Sequence, residues 1–139
     1  MKISILALTS AALLLATSVV SAEPRKTPEQ IQAELARFSA AAGEPVDRYT
    51  NVATHTVKFK PIGTDHVVVY TRPSTAYLLT LDGRCEGLPN AQAISVANGG
   101  RVVRSKTDYV FVAGPENPGG MRCKIEQIQP VDLKLTKPS

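Results

Sequence analysis

The chain has 139 residues, 43% of them hydrophobic, and a formal charge of +4 at pH 7. This length fits one domain and excludes two. The apolar residues are unevenly distributed, because Met1 to Ala22 holds 15 of them. Without that segment about 38% of the remaining residues are apolar, which still supports a modest folded domain.

The N-terminal segment has the three parts of an export signal. Lys2 provides a short positive region, Ile3 to Val20 is uncharged and apolar, and Val20-Ser21-Ala22 places small residues before Glu23. A membrane anchor is the alternative, since roughly 18 apolar residues are borderline for spanning a bilayer. The soft composition and the cleavage site favour removal. We therefore predict a cleavable signal peptide over residues 1–22, cleavage after Ala22, and a periplasmic or secreted protein without a membrane span.

The two cysteines, Cys85 and Cys123, allow a single pairing. In an oxidising compartment they predict a structural disulfide. The bridge would close a loop of about 39 residues and stabilise the domain by roughly 4 kcal/mol. A redox role is less favoured because the sequence has no Cys-x-x-Cys motif.

Residues 23–51 are interpreted as a helix and a connector. Thr27 can cap the helix, Pro28 suits its first position and Gln30 completes a capping box. Gly43 should end it. The helix has a narrow apolar stripe, so we expect it to lie on the outside of the fold. The stripe consists of Ile31, Leu35, Phe38 and Ala42.

Residues 52–130 are predicted to form a β domain, and residues 131–139 a flexible tail. Val and Ile outnumber Leu, and short alternating segments are separated by turns. Asn98-Gly99-Gly100 predicts a hairpin that joins Ala93–Ala97 to Arg101–Arg104. Gly114 to Gly120 predicts an irregular loop. The fold class is therefore mainly β (α+β), with six or seven antiparallel strands curled into a small barrel or sandwich.

The segment that carries the cysteines resembles a family of small exported proteobacterial proteins known only as a domain of unknown function. The resemblance covers Val57 to Pro130 and implies an exported domain with two cysteines. It implies no activity, cofactor or catalytic residue. The residues that carry it are Ala76-Tyr77-Leu78-Leu79, Leu81, Gly83, Cys85, Gly87-Leu88, Cys123, Ile125, Ile128 and Pro130.

No motif in the sequence predicts a catalytic set, a metal site or a cofactor. His55 and His66 are of interest because histidine is the usual catalytic base and metal ligand. A hairpin that pairs Phe59 with Val67 and Lys60 with His66 places His55 roughly 16 Å from His66 and on the opposite face. The two side chains then cannot share a metal ion or a catalytic dyad.

Basic residues recur in pairs along the strands. The candidate binding face consists of Lys58, Lys60, Arg101, Arg104, Arg122 and Lys124. If the pairs align they form a stripe for an anionic envelope component or an acidic protein. The alternative is that they are solvated charges that keep strands from aggregating. Nucleic acid is not an expected partner, because stacking aromatics are few and the protein is predicted to be exported.

Tyr70 and Tyr77 lie on successive predicted strands and could form a small recognition surface with Arg72. Tyrosines at the end of a core are the alternative. The favoured function is a non-enzymatic binding or accessory module of the cell envelope. The alternatives are a secreted hydrolase inhibitor that presents the loop Gly114 to Gly120, and a small enzyme.

Overall fold

Short apolar strands and one amphipathic helix make up the computed structural model, which describes residues 26–50, 58–72, 74–96, 101–115 and 117–137. The predicted signal peptide with its cleavage site, His55 and the turn Asn98-Gly99-Gly100 lie outside these residues. The elements in chain order are α1 (Pro28–Ala41), β1 (Arg48–Thr50), β2 (Lys58–Ile62), β3 (His66–Arg72), β4 (Thr75–Leu81), β5 (Ala93–Val96), β6 (Val102–Arg104), β7 (Tyr109–Gly114) and β8 (Asn117–Val131). Short 3-10 turns cover Leu88–Asn90 and Leu133–Thr136.

Six strands form a curled antiparallel sheet in the order β2-β3-β4-β8-β7-β5, and β1 pairs with β6 in a separate two-stranded ribbon. The sheet closes only part of a circle and is a half-barrel. This arrangement confirms the predicted mainly β fold with one helix. Burial of apolar side chains holds the strands at their positions: β7 alternates between buried and more exposed residues, whereas the central strands β3 and β4 bury apolar residues on both faces.

The inner face of the curled sheet holds the larger hydrophobic core. The ribbon covers this face, since Tyr49 of β1 and Val103 of β6 are buried in the same cluster as the sheet residues. A half-barrel alone would leave that core open to water. The sheet residues of the inner core with no exposed surface include Val67, Val69, Leu79, Val110, Val112, Ile125 and Ile128.

The outer face of the sheet is covered on one side by α1. Phe38 and Ala41 are buried there against Val68 and Leu78 of the neighbouring strands. The predicted capping box at Thr27 is present, and the outward position of the helix is confirmed. Across the described residues, no helix combines the length and the apolar character needed to cross a membrane.

The end of the helix differs in detail from the prediction. Gly43 was expected to end α1, but Ala42 already has an extended backbone and bridges to Val131. The Gly43 N–H then donates to the Pro130 carbonyl at 2.8 Å. Strand-like pairing with the end of β8, not a left-handed glycine, therefore ends the helix.

The β2–β3 hairpin has a register two residues away from the predicted one. Phe59 pairs with Val69, and Ile62 pairs with His66. The predicted pairing of Lys60 with His66 would leave Pro61 in the turn. Pro61 instead lies in β2, an edge strand where a proline removes no ladder hydrogen bond. Because a shift of two preserves the side-chain alternation, His66 still shares a face with Lys60.

The hairpin predicted between β5 and β6 is wrong. β5 pairs with β7, whereas β6 pairs with β1. The two strands belong to different layers because Ile94 and Val96 extend the inner face of the sheet, while Val103 helps to cover it. The local turn signal was therefore overridden by burial of the inner core.

The irregular loop predicted over Gly114 to Gly120 is also wrong. Gly114 pairs with Asn117, so only positions 115 and 116 separate β7 from β8. The next registered pair is Val112 with Met121, which leaves three residues of β8 opposite one of β7. This bulge absorbs Pro118, which is possible because this half of β8 pairs on one side only.

Two further segments are more ordered than the sequence indicated. The predicted connector contains β1, whose central residue Tyr49 is buried. The predicted tail begins at Val131, which is buried in β8, and Leu133 packs against the same outer cluster. Single buried residues in short elements gave too little periodicity for the sequence to predict them.

The predicted disulfide is confirmed between Cys85 and Cys123, whose Cα atoms lie 5.9 Å apart. Cys85 follows β4 and has no exposed surface, whereas Cys123 lies in β8 and is 7% exposed. The bridge therefore joins two parts of the inner core that are 38 residues apart in the chain.

We expect Cys85→Ser to lower the free energy of unfolding by about 4 kcal/mol, because the unfolded chain loses its constraint. Urea denaturation followed by circular dichroism measures the change. Cys85→Ala/Cys123→Ala separates the loss of the bridge from the burial of a hydroxyl. Arg72→Gln, at an exposed position, is the control. A loss below about 1 kcal/mol in the double variant would contradict a structural role.

Candidate anion-binding surfaces

The sheet register divides the six predicted basic residues into three groups. Lys58 and Lys60 lie on the outer face of β2, and Arg122 and Lys124 lie on the outer face of β8. Arg104 belongs to the ribbon, and Arg101 immediately precedes it. Through β3 and β4, Lys60 is level with Gln129 of β8. Gln129 lies five residues beyond Lys124, which is roughly 16 Å along the strand. The six residues therefore do not form one continuous stripe.

The two lysines of β2 contact neighbouring elements of the fold. Lys60 Nζ lies 3.6 Å from Glu34 of α1 and 5.5 Å from the ring centre of Phe38. The other carboxylate oxygen of Glu34 is 2.6 Å from Lys26 Nζ. Lys58 Nζ lies 5.3 Å from the ring centre of Tyr70. Lys60 therefore has a structural role between α1 and the sheet, whereas the contact of Lys58 lies within the sheet, between β2 and β3.

The pair on β8 forms part of an exposed surface. Arg122 is directly opposite Phe111, and Lys124 is directly opposite Tyr109. The Arg122 guanidinium lies 5.4 Å from the ring centre of Tyr109, which is 41% exposed. We refer to these four residues as the basic-aromatic platform. Neither cation forms an ion pair with an acidic residue in the described part of the chain.

The alternation of β7 and β8 fixes the orientation of the platform. Val110 and Val112 are fully buried in the inner core, so Tyr109 and Phe111 point outward. The ring of Phe111 rests against Gly120, where an added Cβ would lie 3.0 Å from the ring. The helix packs on the other part of the outer face and does not cover these residues.

The third group leads to a depression at one end of the ribbon. The depression has a volume of about 350 Å³ and is lined by Asp47, Arg48, Arg104, Ser105, Lys106 and Thr107. Of these residues, the sequence pointed only to Arg104. Arg48 was missed because it was placed in a connector, and Lys106 because its turn was not recognised. Arg101 is exposed just before β6.

The turn from Ser105 to Thr107 is held by hydrogen bonds of the residues around it. The Arg104 N–H donates to Asp108 Oδ2 at 2.6 Å, and the Asp108 N–H donates to the Arg104 carbonyl at 3.1 Å. The Lys106 N–H donates to the Ile125 carbonyl of β8 at 2.7 Å. Lys106 has a φ of +67°, in a region that non-glycine residues rarely adopt.

Of the two histidines, only His66 lies within the described residues. His66 Nδ1 lies 2.8 Å from Oδ1 of the adjacent Asp65. Among the residues that the structure describes, no three His, Cys, Asp or Glu side chains gather in a way that could hold a metal ion.

The predicted surface of Tyr70 and Tyr77 is wrong. Tyr70 packs against the outer cluster and Tyr77 against the inner one, so the two rings lie on opposite faces of the sheet. Tyr77 stacks instead on Tyr49, with ring centres 4.3 Å apart and planes 19° from parallel. Sequence proximity suggested a pairing that side-chain alternation across β3 and β4 prevents.

The hydroxyl of Tyr49 is buried without a hydrogen-bond partner among the described residues. Burial raises the pKa of this side chain far above its usual range, and the nearby Tyr77 and Asp108 add to the rise. The ribbon therefore buries a polar atom that is costly to remove from water.

Comparison with known proteins gives one match. The family described as "Family of unknown function (DUF6491)" matches residues 1–139. Neither the curated proteins nor the solved structures contain a chain with detectable similarity.

We expect Tyr49→Phe to raise the free energy of unfolding at pH 7 by about 1 kcal/mol, because it removes an unpartnered buried hydroxyl. The unfolded state ionises Tyr49 near pH 10, while the folded state keeps it neutral. The stability of the wild-type protein is therefore unaffected by this ionisation below pH 10, and it falls as the pH rises above 10 because only the unfolded state releases the proton. Tyr49→Phe should lose less stability over that alkaline range.

Urea denaturation at pH 7 and at pH 11 measures both effects. Tyr109→Phe removes an exposed hydroxyl and should leave stability at pH 7 unchanged. A loss of stability at pH 7 in Tyr49→Phe would show instead that the hydroxyl is satisfied.

Proposed function

We propose, for a chain that belongs to the family of unknown function DUF6491, that it is a non-enzymatic binding module exported to the cell envelope. Its partner would be an anionic polysaccharide of the envelope, bound at the basic-aromatic platform. The observation that carries the proposal is the pairing of two unpartnered cations with an exposed tyrosine ring on one uncovered face.

The chemistry of the platform matches both properties of an acidic sugar polymer. The guanidinium of Arg122 can form two parallel hydrogen bonds with a carboxylate or phosphate, and Lys124 adds a second positive charge. The exposed ring of Tyr109 offers an apolar surface for the C–H face of a sugar ring, with its hydroxyl toward water. Repeating negative charges along a polymer would engage both cations at once.

The platform is supported by the part of the sheet that carries the disulfide. Cys123 lies between Arg122 and Lys124 and points inward to the disulfide with Cys85. Its neighbours on β8 therefore project from a backbone that is held on the opposite face. A preorganised surface loses less conformational entropy on binding than a mobile one.

Two features of the sequence support export. Residues 1–22 have the pattern of a cleavable signal peptide, and a structural disulfide is typical of oxidising compartments. The inhibitor alternative depended on a long loop at Gly114 to Gly120. Because most of that segment is in the β7–β8 hairpin, no observation favours it.

The test uses polygalacturonate, an acidic polysaccharide, and its methyl ester, which keeps the sugar rings but lacks the charge. We expect the purified protein to bind the acid form and to bind less tightly as salt increases. Arg122→Gln/Lys124→Gln should weaken binding by about tenfold or more, since charge-assisted hydrogen bonds are lost. Isothermal titration calorimetry measures the affinity.

Arg72→Gln/Lys134→Gln is the matched control, because it removes one arginine and one lysine at exposed positions that are not part of the platform. Tyr109→Ser should weaken binding while leaving its salt dependence unchanged, which separates sugar stacking from charge. Equal binding of the acid and its ester, or equal losses in both double variants, would refute the platform as the site. Binding to an acidic protein in place of the polymer would refute the choice of partner.

A further inference from the structure

We propose that the depression at the end of the β1–β6 ribbon is a second binding site, separate from the basic-aromatic platform, and that it takes the phosphate group of a phosphomonoester. None of the four platform residues lines it. Its residues and its ligand class are thus independent of the polysaccharide proposal.

The strongest observation is the position of two arginines. Arg48 and Arg104 are direct partners across the ribbon. The Ser105 N–H donates to the Asp47 carbonyl, so the neighbouring residues 47 and 105 form the hydrogen-bonded position of the ladder. Arg48 and Arg104 therefore occupy the non-hydrogen-bonded position, where Cα atoms are about 4.5 Å apart and side chains lie closest.

Like charges in directly opposite positions destabilise an antiparallel pair. No direct ion pair offsets the repulsion, because neither Arg48 nor Arg104 lies within ion-pair distance of a carboxylate among the described residues. The nearby Asp108 carboxylate accepts from the Arg104 backbone N–H, and so caps the turn. An anion between the two guanidinium groups would turn the repulsion into attraction.

The turn beside the arginines adds a third cation and two hydroxyls. Lys106 lines the depression and makes no ion pair within the described ranges. Its left-handed backbone is held by the hydrogen bond to the Ile125 carbonyl. Such conformations are strained in non-glycine residues and cluster at ligand sites. Ser105 and Thr107 on either side of it contribute hydroxyl groups.

The balance of charge indicates the class of ligand. The lining has three cations and one carboxylate, that of Asp47. A single carboxylate ligand would satisfy one guanidinium fork, whereas a phosphate carries nearly two charges and three acceptor oxygens that can be shared between both arginines and a lysine. The volume of about 350 Å³ exceeds that of a phosphate group, so it leaves room for an attached organic group.

The first experiment is a titration of the ¹⁵N-labelled protein followed by two-dimensional NMR. Inorganic phosphate and glucose 1-phosphate are compared with chloride at equal ionic strength. We expect saturable shifts at the Lys106 and Thr107 amides and at the side chains of Arg48 and Arg104. Vesicles of phosphatidylcholine that contain phosphatidic acid form a further arm, measured by co-sedimentation. Response to the small molecules alone identifies a diffusible phosphomonoester, and response to the vesicles alone identifies a lipid headgroup.

The second experiment uses the opposing effects of one substitution. Arg48→Gln removes the repulsion with Arg104, so it should raise Tm in phosphate-free buffer at low ionic strength. The same change should weaken glucose 1-phosphate binding by about tenfold or more, since a charge-assisted contact is lost. Arg72→Gln is the single-charge control and should change neither property. If the effects came from positive charge in general, Arg48→Gln and Arg72→Gln would show the same changes in Tm and in affinity.

Three outcomes would overturn the proposal. They are shifts that do not saturate or that chloride reproduces, wild-type affinity for glucose 1-phosphate in Arg48→Gln, and the same affinity loss in Arg72→Gln. The mapping on the wild-type protein decides the matter even if a variant fails to fold. Loss of polygalacturonate binding in the platform variants has no bearing on these results, so failure of either proposal is distinguishable.

Discussion

The fold depends on the point where β8 changes partners. From Asn117 to Lys124 this strand pairs with β7, and from Ile125 to Val131 it pairs with β4. The two halves of the sheet are joined only by this one strand. The disulfide at Cys123 fixes the change of partner to the chain just beyond β4. Within three residues of that point, Lys124 and Ile125 also accept hydrogen bonds from Asp82 and Lys106.

Because β8 is fixed there, both faces of the sheet become defined surfaces. The inner face needs a cover, and the ribbon provides it by inserting Tyr49 and Val103 into the core. The outer face is divided instead. The helix seals the part near Val131 through Phe38 and Ala41, whereas the half of β8 that pairs with β7 stays open to solvent. The basic-aromatic platform is therefore exposed because the helix covers a different part of the outer face.

Local signals in the sequence predicted what depends on nearest neighbours. The capping box at Thr27, the alternation of the strands and the only possible disulfide all follow from short-range patterns or simple pairing. The predicted register of β2 with β3 was wrong because it excluded Pro61 from the strand. Proline disrupts pairing only in a central strand, and the sequence does not show which strand is at the edge. The Asn98-Gly99-Gly100 signal failed because burial of Val103 against the inner core favoured a different partner for β6.

The candidate sites were harder to predict for the same reason. Arg122 and Lys124 were found because they alternate along one strand, which is a local property. The depression joins Arg48 and Arg104, which are 56 positions apart in sequence and meet only through the ribbon. Because β1 was not predicted as a strand, the sequence offered no reason to expect these two side chains to meet.

Besides Glu34 Oε1 and Arg37 Nε of α1, which are buried without hydrogen-bond partners among the described residues, the unfavourable features lie around that ribbon. Its inner side buries the unpartnered hydroxyl of Tyr49, its outer side opposes two arginines, and the turn that follows it holds Lys106 in a left-handed conformation. Each would be removed by a simple substitution if stability were the only requirement. The rest of the described sheet follows the usual rules of alternation and burial. An anion bound between the arginines would offset their repulsion but would not reach the buried hydroxyl, so the Tyr49 feature requires a separate explanation in the packing of its ring on Tyr77.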